Sequence, residues 1–166
     1  MAEACQVLGL SEDRLDPAIA PGIVNAGNQT LCLPLQGCRD VVALRPEFEQ
    51  VKAFCQRHRL DVVTVFSEET ADPRNRLRTR VFAAPFGYLE DPATGSGNAA
   101  LAYHLHRLGR WDGSPFSIEQ NDSLDHPNRV QVASVPDPEV GLRVLFGGGA
   151  VLRIDGRYWI EDLPTE

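Results

Sequence analysis

Residues Glu90-Asp91-Pro92-Ala93-Thr94-Gly95-Ser96-Gly97-Asn98 form a polar, glycine-punctuated stretch that runs directly into Ala99-Ala100-Leu101-Ala102-Tyr103. With Leu105 and Leu108 added, the helix expected from about Ser96 to Leu108 is apolar nearly all round, and Gly109 supplies its stop. A helix of that kind belongs in the interior, so the rest of the chain must wrap around it. Its first turn leaves backbone N–H groups free at the positive end of the helix dipole. Such a turn seats a carboxylate or a phosphate.

The wrapping material is mostly β. Ile23-Val24 and Thr30–Leu35 flank the turn Asn25-Ala26-Gly27-Asn28, and Val41–Leu44, Asp61–Phe66 and Leu77–Ala84 read as further strands. After the apolar helix come Phe116–Glu119, Asn128–Ala133, Gly141–Phe146, Ala150–Ile154 and Arg157–Ile160. Asp155-Gly156 is a hairpin turn between the last two. Two more helices are expected, one over Glu3–Leu10 and one opened by Pro46 with Phe48, Val51, Phe54 and Cys55 on its apolar face. Short strands in succession favour antiparallel or mixed pairing over a βαβ array. The expected fold is α+β: a mixed, mostly antiparallel sheet curled into a barrel around one central helix, in a single domain over residues 1–166.

Bulk properties remove several function classes. A net charge of −7 argues against nucleic-acid partners, which need clustered Lys and Arg. No apolar run is long enough to cross a bilayer. Met1-Ala2-Glu3-Ala4-Cys5 lacks the basic start and apolar core of a secretion signal, so a cytoplasmic location is expected. The four cysteines form no CxxC pair and are expected as reduced thiols.

Competing readings of the glycine turn can be weighed. A plain helix cap by Thr94 or Ser96 contributes about 1 kcal/mol and needs no ligand. Gly95-x-Gly97-x-x-Ala100, with Glu119 downstream, spells a dinucleotide fingerprint, but Pro85, Gly87 and Pro92 separate it from the preceding strand. No nucleotide or other cofactor is expected. Cys32, Cys38, Cys55 and His58 lack the paired spacing of zinc sites, so no metal is expected either. His104 and His106 read as packed or polar-end residues of the helix, and Arg74, Arg76, Arg78 and Arg80 as a solvated loop and strand face.

The stretch Glu90–Ser96 with its small-residue helix resembles the signature of the phenazine-biosynthesis PhzF-like family, of the diaminopimelate-epimerase-like superfamily. Arg80-Val81-Phe82, Ser117-Ile118-Glu119-Gln120 and Gly148-Gly149-Ala150-Val151 agree with it, and the resemblance runs from Val7 onward. It implies two like halves, each a curled sheet on a central helix, with the active site in the cleft between them. This sequence resembles the second half; the first half supplies a Gly-Asn-Pro turn and a glutamate acting as general acid/base.

Carried over, Asp91 and Ser96 match the active-site aspartate and serine, and the amides from Thr94 through Gly95 and Ser96 to Gly97 match the anion seat. Thr94 stands where related racemases have cysteine, which argues against a cysteine-based two-base reaction. Asn28 lies in a segment similar to a superfamily Gly-Asn-Pro-His turn and is a candidate substrate contact. His126 lies where the family has Gly-Arg-Pro, and Glu90 is a local candidate for the base. The implied function is a cofactor-independent isomerase or epimerase domain that binds a small anionic metabolite. It would act with a homodimer mate or a separately encoded first half. The alternative is a non-catalytic module that keeps only the anion seat.

Overall fold

The computed structural model describes residues 1–159. In chain order it contains α1 (Ala2–Val7), β1 (Gly22–Asn25), β2 (Gln29–Pro34), α2 (Cys38–Ala43) and α3 (Phe48–His58). There follow β3 (Val62–Ser67), β4 (Leu77–Phe82), β5 (Glu90–Asp91), α4 (Gly95–Arg107), β6 (Phe116–Gln120), β7 (Asn128–Asp137) and β8 (Gly141–Gly147). One sheet runs in the order β1-β2-β3-β4-β6-β7-β8, with β5 attached to β4. Pairing is parallel between β2 and β3 and between β4 and β6, and antiparallel elsewhere.

Helix α4 touches β1, β2 and β3 at one end of that order and β7 and β8 at the other, so the sheet curls around it. Period-2 alternation sorts the strands between two cores. Cys32, Phe66, Leu77, Ile118, Val130, Val132 and Val144 turn toward α4 and pack with Leu101, Ala102 and Leu105. Leu31, Leu33, Val63, Val65 and Phe82 turn the other way and pack against α1, α2 and α3. Strands β3 and β4 are therefore buried at every position. No helix among the described residues is long and apolar enough to cross a membrane.

The close seat of α4 on the sheet explains Gly97. A Cβ there would lie 3.0 Å from Val81 Cγ1, 3.1 Å from Thr64 Oγ1 and 3.3 Å from Thr94 Cγ2, all on buried residues. Gly97→Ala should lower stability: overpacking costs about 1–3 kcal/mol, and the helix propensity gained offsets only about 1 kcal/mol. A urea titration with an unchanged m-value checks this.

Three expectations need correction. Val41–Leu44 is not a strand; residues 38–43 form α2, because side chains distant in sequence hold both its ends. Glu69 accepts a hydrogen bond from the Cys38 N–H at 3.1 Å, and Arg80 donates to the Leu44 carbonyl at 2.6 Å. Arg78 and Arg80 do not form a solvated face, since they lie on the side of β4 that the helices and the loop after β3 cover; they are 0% and 3% exposed. Ala150–Ile154 and the described part of Arg157–Ile160 are unpaired and exposed rather than a hairpin, and Ile160 lies outside the described residues.

Cys5, Cys32, Cys38 and Cys55 are buried free thiols, and burial pushes Cys32 up to about 12 and Cys55 up to about 11. Cys32 and Cys55 belong to opposite cores, and no three His, Cys, Asp or Glu side chains among the described residues cluster as a metal site. His104 is packed: its Nε2 lies 2.8 Å from the Ala20 carbonyl, and burial lowers its pKa.

Candidate functional site

The site is built at a fork in the sheet. One edge of β4 is shared: Leu77, Arg78 and Thr79 pair with β6, whereas Val81 and Phe82 pair with Asp91 and Glu90 of β5. The end of β6 thus faces the turn that follows Asp91. Ile118 and Gln120 share the face toward α4, which brings the buried amide of Gln120 into the fork.

Gln120 knits the turn together. Its Nε2 donates to the Asp91 carbonyl at 2.6 Å and to Thr94 Oγ1 at 2.9 Å. Its Oε1 accepts from the Thr94 N–H at 3.0 Å and from Asn98 Nδ2 at 2.7 Å, and Asn98 also donates to the Thr94 carbonyl at 2.7 Å. The Asp91 carboxylate accepts from the Ala93 N–H at 3.1 Å. Among the described residues no side chain caps the start of α4, and no acidic residue lies in its first turn, while His104, His106 and Arg107 fill its last turn. That charge arrangement leaves the positive end of the dipole open to an anion.

Beside this turn is a pocket of about 190 Å³ lined by Asn28, Val62, Ala83, Phe86, Tyr88, Asp91, Thr94 and Ser96. Asn28, from the turn between β1 and β2, reaches across: its Nδ2 lies 3.4 Å from Ser96 Oγ. The pocket is smaller than the roughly 300–1,000 Å³ of drug-sized sites and suits a small metabolite. Its lining combines polar groups with two half-exposed rings, Phe86 and Tyr88.

The structure therefore brings Asn28, Asp91, Thr94 and Ser96 together. Glu90 is placed elsewhere: its carboxylate accepts two hydrogen bonds from Arg80, at 2.9 and 2.6 Å. Gly95 and Gly97 contribute backbone, but their Cα atoms face Phe146 and Val81. His126 is exposed, in a loop that adjoins the turn through Asn128, whose Nδ2 donates to the Pro92 carbonyl at 2.8 Å. Glu119 is enclosed rather than free to reach a ribose: Asn75 and the N–H groups of Ala71 and Asp72 donate to it, as does Arg78.

Sequence reasoning missed Gln120, Phe86 and Tyr88. The signal for Gln120 was its period-2 relation to Ile118, which places a polar residue on an apolar face. Phe86 and Tyr88 gave no local signal.

Comparison with known proteins agrees with this architecture. Over 161 residues the chain is 27% identical to Antisense-enhancing sequence 1 of Schizosaccharomyces pombe, covering 96% of this chain and 53% of that protein. It is 28% identical over 151 residues to the trans-2,3-dihydro-3-hydroxyanthranilate isomerase of Pseudomonas fluorescens, covering 90% and 50% respectively. The chain thus spans about half the length of the curated relatives it matches. The crystal structure of a Bacillus anthracis PhzF-family phenazine biosynthesis protein superposes with a TM-score of 0.73 at 21% identity, over 86% of this chain and 49% of that one. An Enterococcus faecalis PhzF-family structure gives 0.57 at 19% identity, over 89% and 48%. These likenesses extend the fold to PhzF-type proteins. The PhzC-PhzF family, described as phenazine biosynthesis-like protein, matches residues 1–156, and the chain belongs to it.

Proposed function

We propose that this chain is the second half of a PhzF-type isomerase or epimerase, binding a small carboxylate metabolite beside the first turn of α4. The observation that carries the reading is the single small pocket wall shared by Asn28, Asp91, Thr94 and Ser96 at an uncapped helix start. The substrate carboxylate docks on the amides of Gly95, Ser96 and Gly97, with Ser96 and Asn28 donating hydrogen bonds to it. Asp91 accepts a hydrogen bond from a substrate amine or hydroxyl, or carries the proton during transfer. The helix end stabilises the negative charge that develops when a proton leaves carbon. The base comes from a second half, either a homodimer mate or a separately encoded partner, closing a cleft over the pocket. Glu90 is less suited to that role because its carboxylate is engaged by Arg80. A reducing, cytoplasmic setting suits the four unpaired cysteines.

One observation favours the alternative of a binding module without chemistry: among the described residues, Asp91 is the one carboxylate lining the pocket. Incubation with small cyclic and amino carboxylates in deuterated water separates the two. An active protein incorporates deuterium at carbon, and Asp91→Ala should slow this by about 10²–10⁴-fold, the usual contribution of a positioned acid or base. Amide shifts at residues 95–97 without exchange, in every oligomeric state and with any copurifying partner retained, would sink the enzyme reading and leave the binding module.

A further inference from the structure

Strand β8 closes the sheet order, and its outer edge is unpaired among the described residues. It is seven residues long, and Leu145 and Phe146 on it are 45% and 56% exposed. Long, apolar, uncovered edges are templates for pairing with another chain. Directly after this edge comes Gly147-Gly148-Gly149, and then a segment that carries Val151, Leu152, Ile154, Tyr158 and Trp159, between 73% and 90% exposed. Leu152 and Ile154 alternate with Arg153 and Asp155, so Ala150–Ile154 reads as strand material, and it has no partner among the described residues.

The simplest partner would be β8 itself, reached through a two-residue turn at Gly148-Gly149. Such a turn needs positive φ at its first central glycine, and at both in type I′. Neither Gly148 nor Gly149 has it, although six other glycines do. Among the described residues, nothing after Gly149 pairs with β8.

We propose that residues 150–156 pair antiparallel with β8 of a second copy of this chain, reciprocally, about a two-fold axis at Gly148-Gly149. Seven residues of β8 precede the hinge, and this register sets residues 150–156 opposite them. Ala150 then opposes the partner's Gly147, Leu152 opposes the partner's Leu145, and Ile154 opposes the partner's Arg143. Because donor strand and acceptor edge sit on the same chain, two copies satisfy each other and the assembly closes. The faces agree as well. Phe146 turns toward α4, its ring against the Cα side of Gly95. Val151 from the partner joins that face and covers the start of the helix that carries the candidate site. Leu152 joins Leu145 on the opposite face, extending the row in which Leu145 neighbours Ala133.

The inference stands on the edge and the hinge and does not need the isomerase reading. Its test mixes full-length copies carrying only Leu145→Cys with copies carrying only Leu152→Cys, under mild oxidation. Opposed antiparallel Cα atoms lie about 4.5–5.5 Å apart, within the range a disulfide spans. The four native cysteines are buried, and both substituted positions are exposed, so neither folding nor background cross-linking confuses the result. The expected result is a disulfide-linked heterodimer on a non-reducing gel, and sedimentation of the unmodified chain at twice its monomer mass that Leu152→Asp halves. A monomer in sedimentation overturns the proposal. So does a Leu145→Cys/Leu152→Cys double variant that closes only within one chain, or a dimer that persists in Leu152→Asp.

Discussion

Glu119→Ala should destabilise the protein by about 3–5 kcal/mol, the usual cost of leaving one member of a buried ion pair without its partner. Arg78 and Glu119 face each other across β4 and β6 with both side chains fully buried, Nη1 to Oε2 at 3.3 Å. Removing the carboxylate also strands the N–H groups of Ala71 and Asp72 and the amide of Asn75. A guanidinium cannot shed its proton to escape, so its charge stays buried. Replacing both residues with leucine should recover only the part owed to the unpaired guanidinium, because the Ala71, Asp72 and Asn75 donors stay stranded in the double variant as well. Urea titrations of the two single variants and the double measure the coupling.

The same carboxylate sets an acid limit. Burial alone would raise the pKa of Glu119, but the N–H groups of Ala71 and Asp72, with Asn75 and Arg78, hold it below the ordinary value. A folded pKa below the unfolded one means the stabilisation is fully present above about pH 4.3, the unfolded value, and is lost as pH falls through the lower folded value. Thermal melts from pH 6 downward should show a steep acid limb that flattens in Glu119→Gln.

Gln120→Leu should cost about 2–6 kcal/mol and disable the site. The substitution preserves bulk but leaves the Thr94 N–H and the Asp91 carbonyl unpaired, and buried groups so stranded cost about 1–3 kcal/mol each. Asn98 Nδ2 keeps its bond to the Thr94 carbonyl, so it adds little. The distinguishing measurement is amide exchange by NMR. Protection of the Thr94 N–H should collapse, while residues 101–105 in the middle of α4 stay protected. Binding of small carboxylates should weaken along with it, since the turn that presents the amides is no longer fixed. Gln120→Glu keeps the acceptor and loses both donors, so it should release the Asp91 carbonyl while leaving the Thr94 N–H bonded.

Local pattern located the central helix to within one residue at each end, Ser96–Leu108 expected against Gly95–Arg107 observed. It also found six of the seven strands in the main sheet order within about three residues at their starts and ends; β7 extends further, to Asp137. In the site, the polar turn and Asn28 were legible because each is a short contiguous signal. The pairing of Glu90 with Arg80 was not, since neighbouring strands align them across ten residues of chain. The same reason hid the buried state of Arg78, whose alternation with Leu77 and Thr79 reads as a solvated face unless a second layer covers it.

The sequence by itself determined an apolar helix opened by a polar, glycine-rich turn and a succession of short strands to surround it. These follow from side-chain periodicity and backbone preference, which act between near neighbours. Only the tertiary structure decided that β4 splits its edge between β5 and β6, and that Gln120 fills the gap. It also decided that Glu69 and Arg80 hold residues 38–43 as a helix. Each of these depends on groups far apart in sequence satisfying one another's charge or hydrogen bonds, and no local window contains both partners.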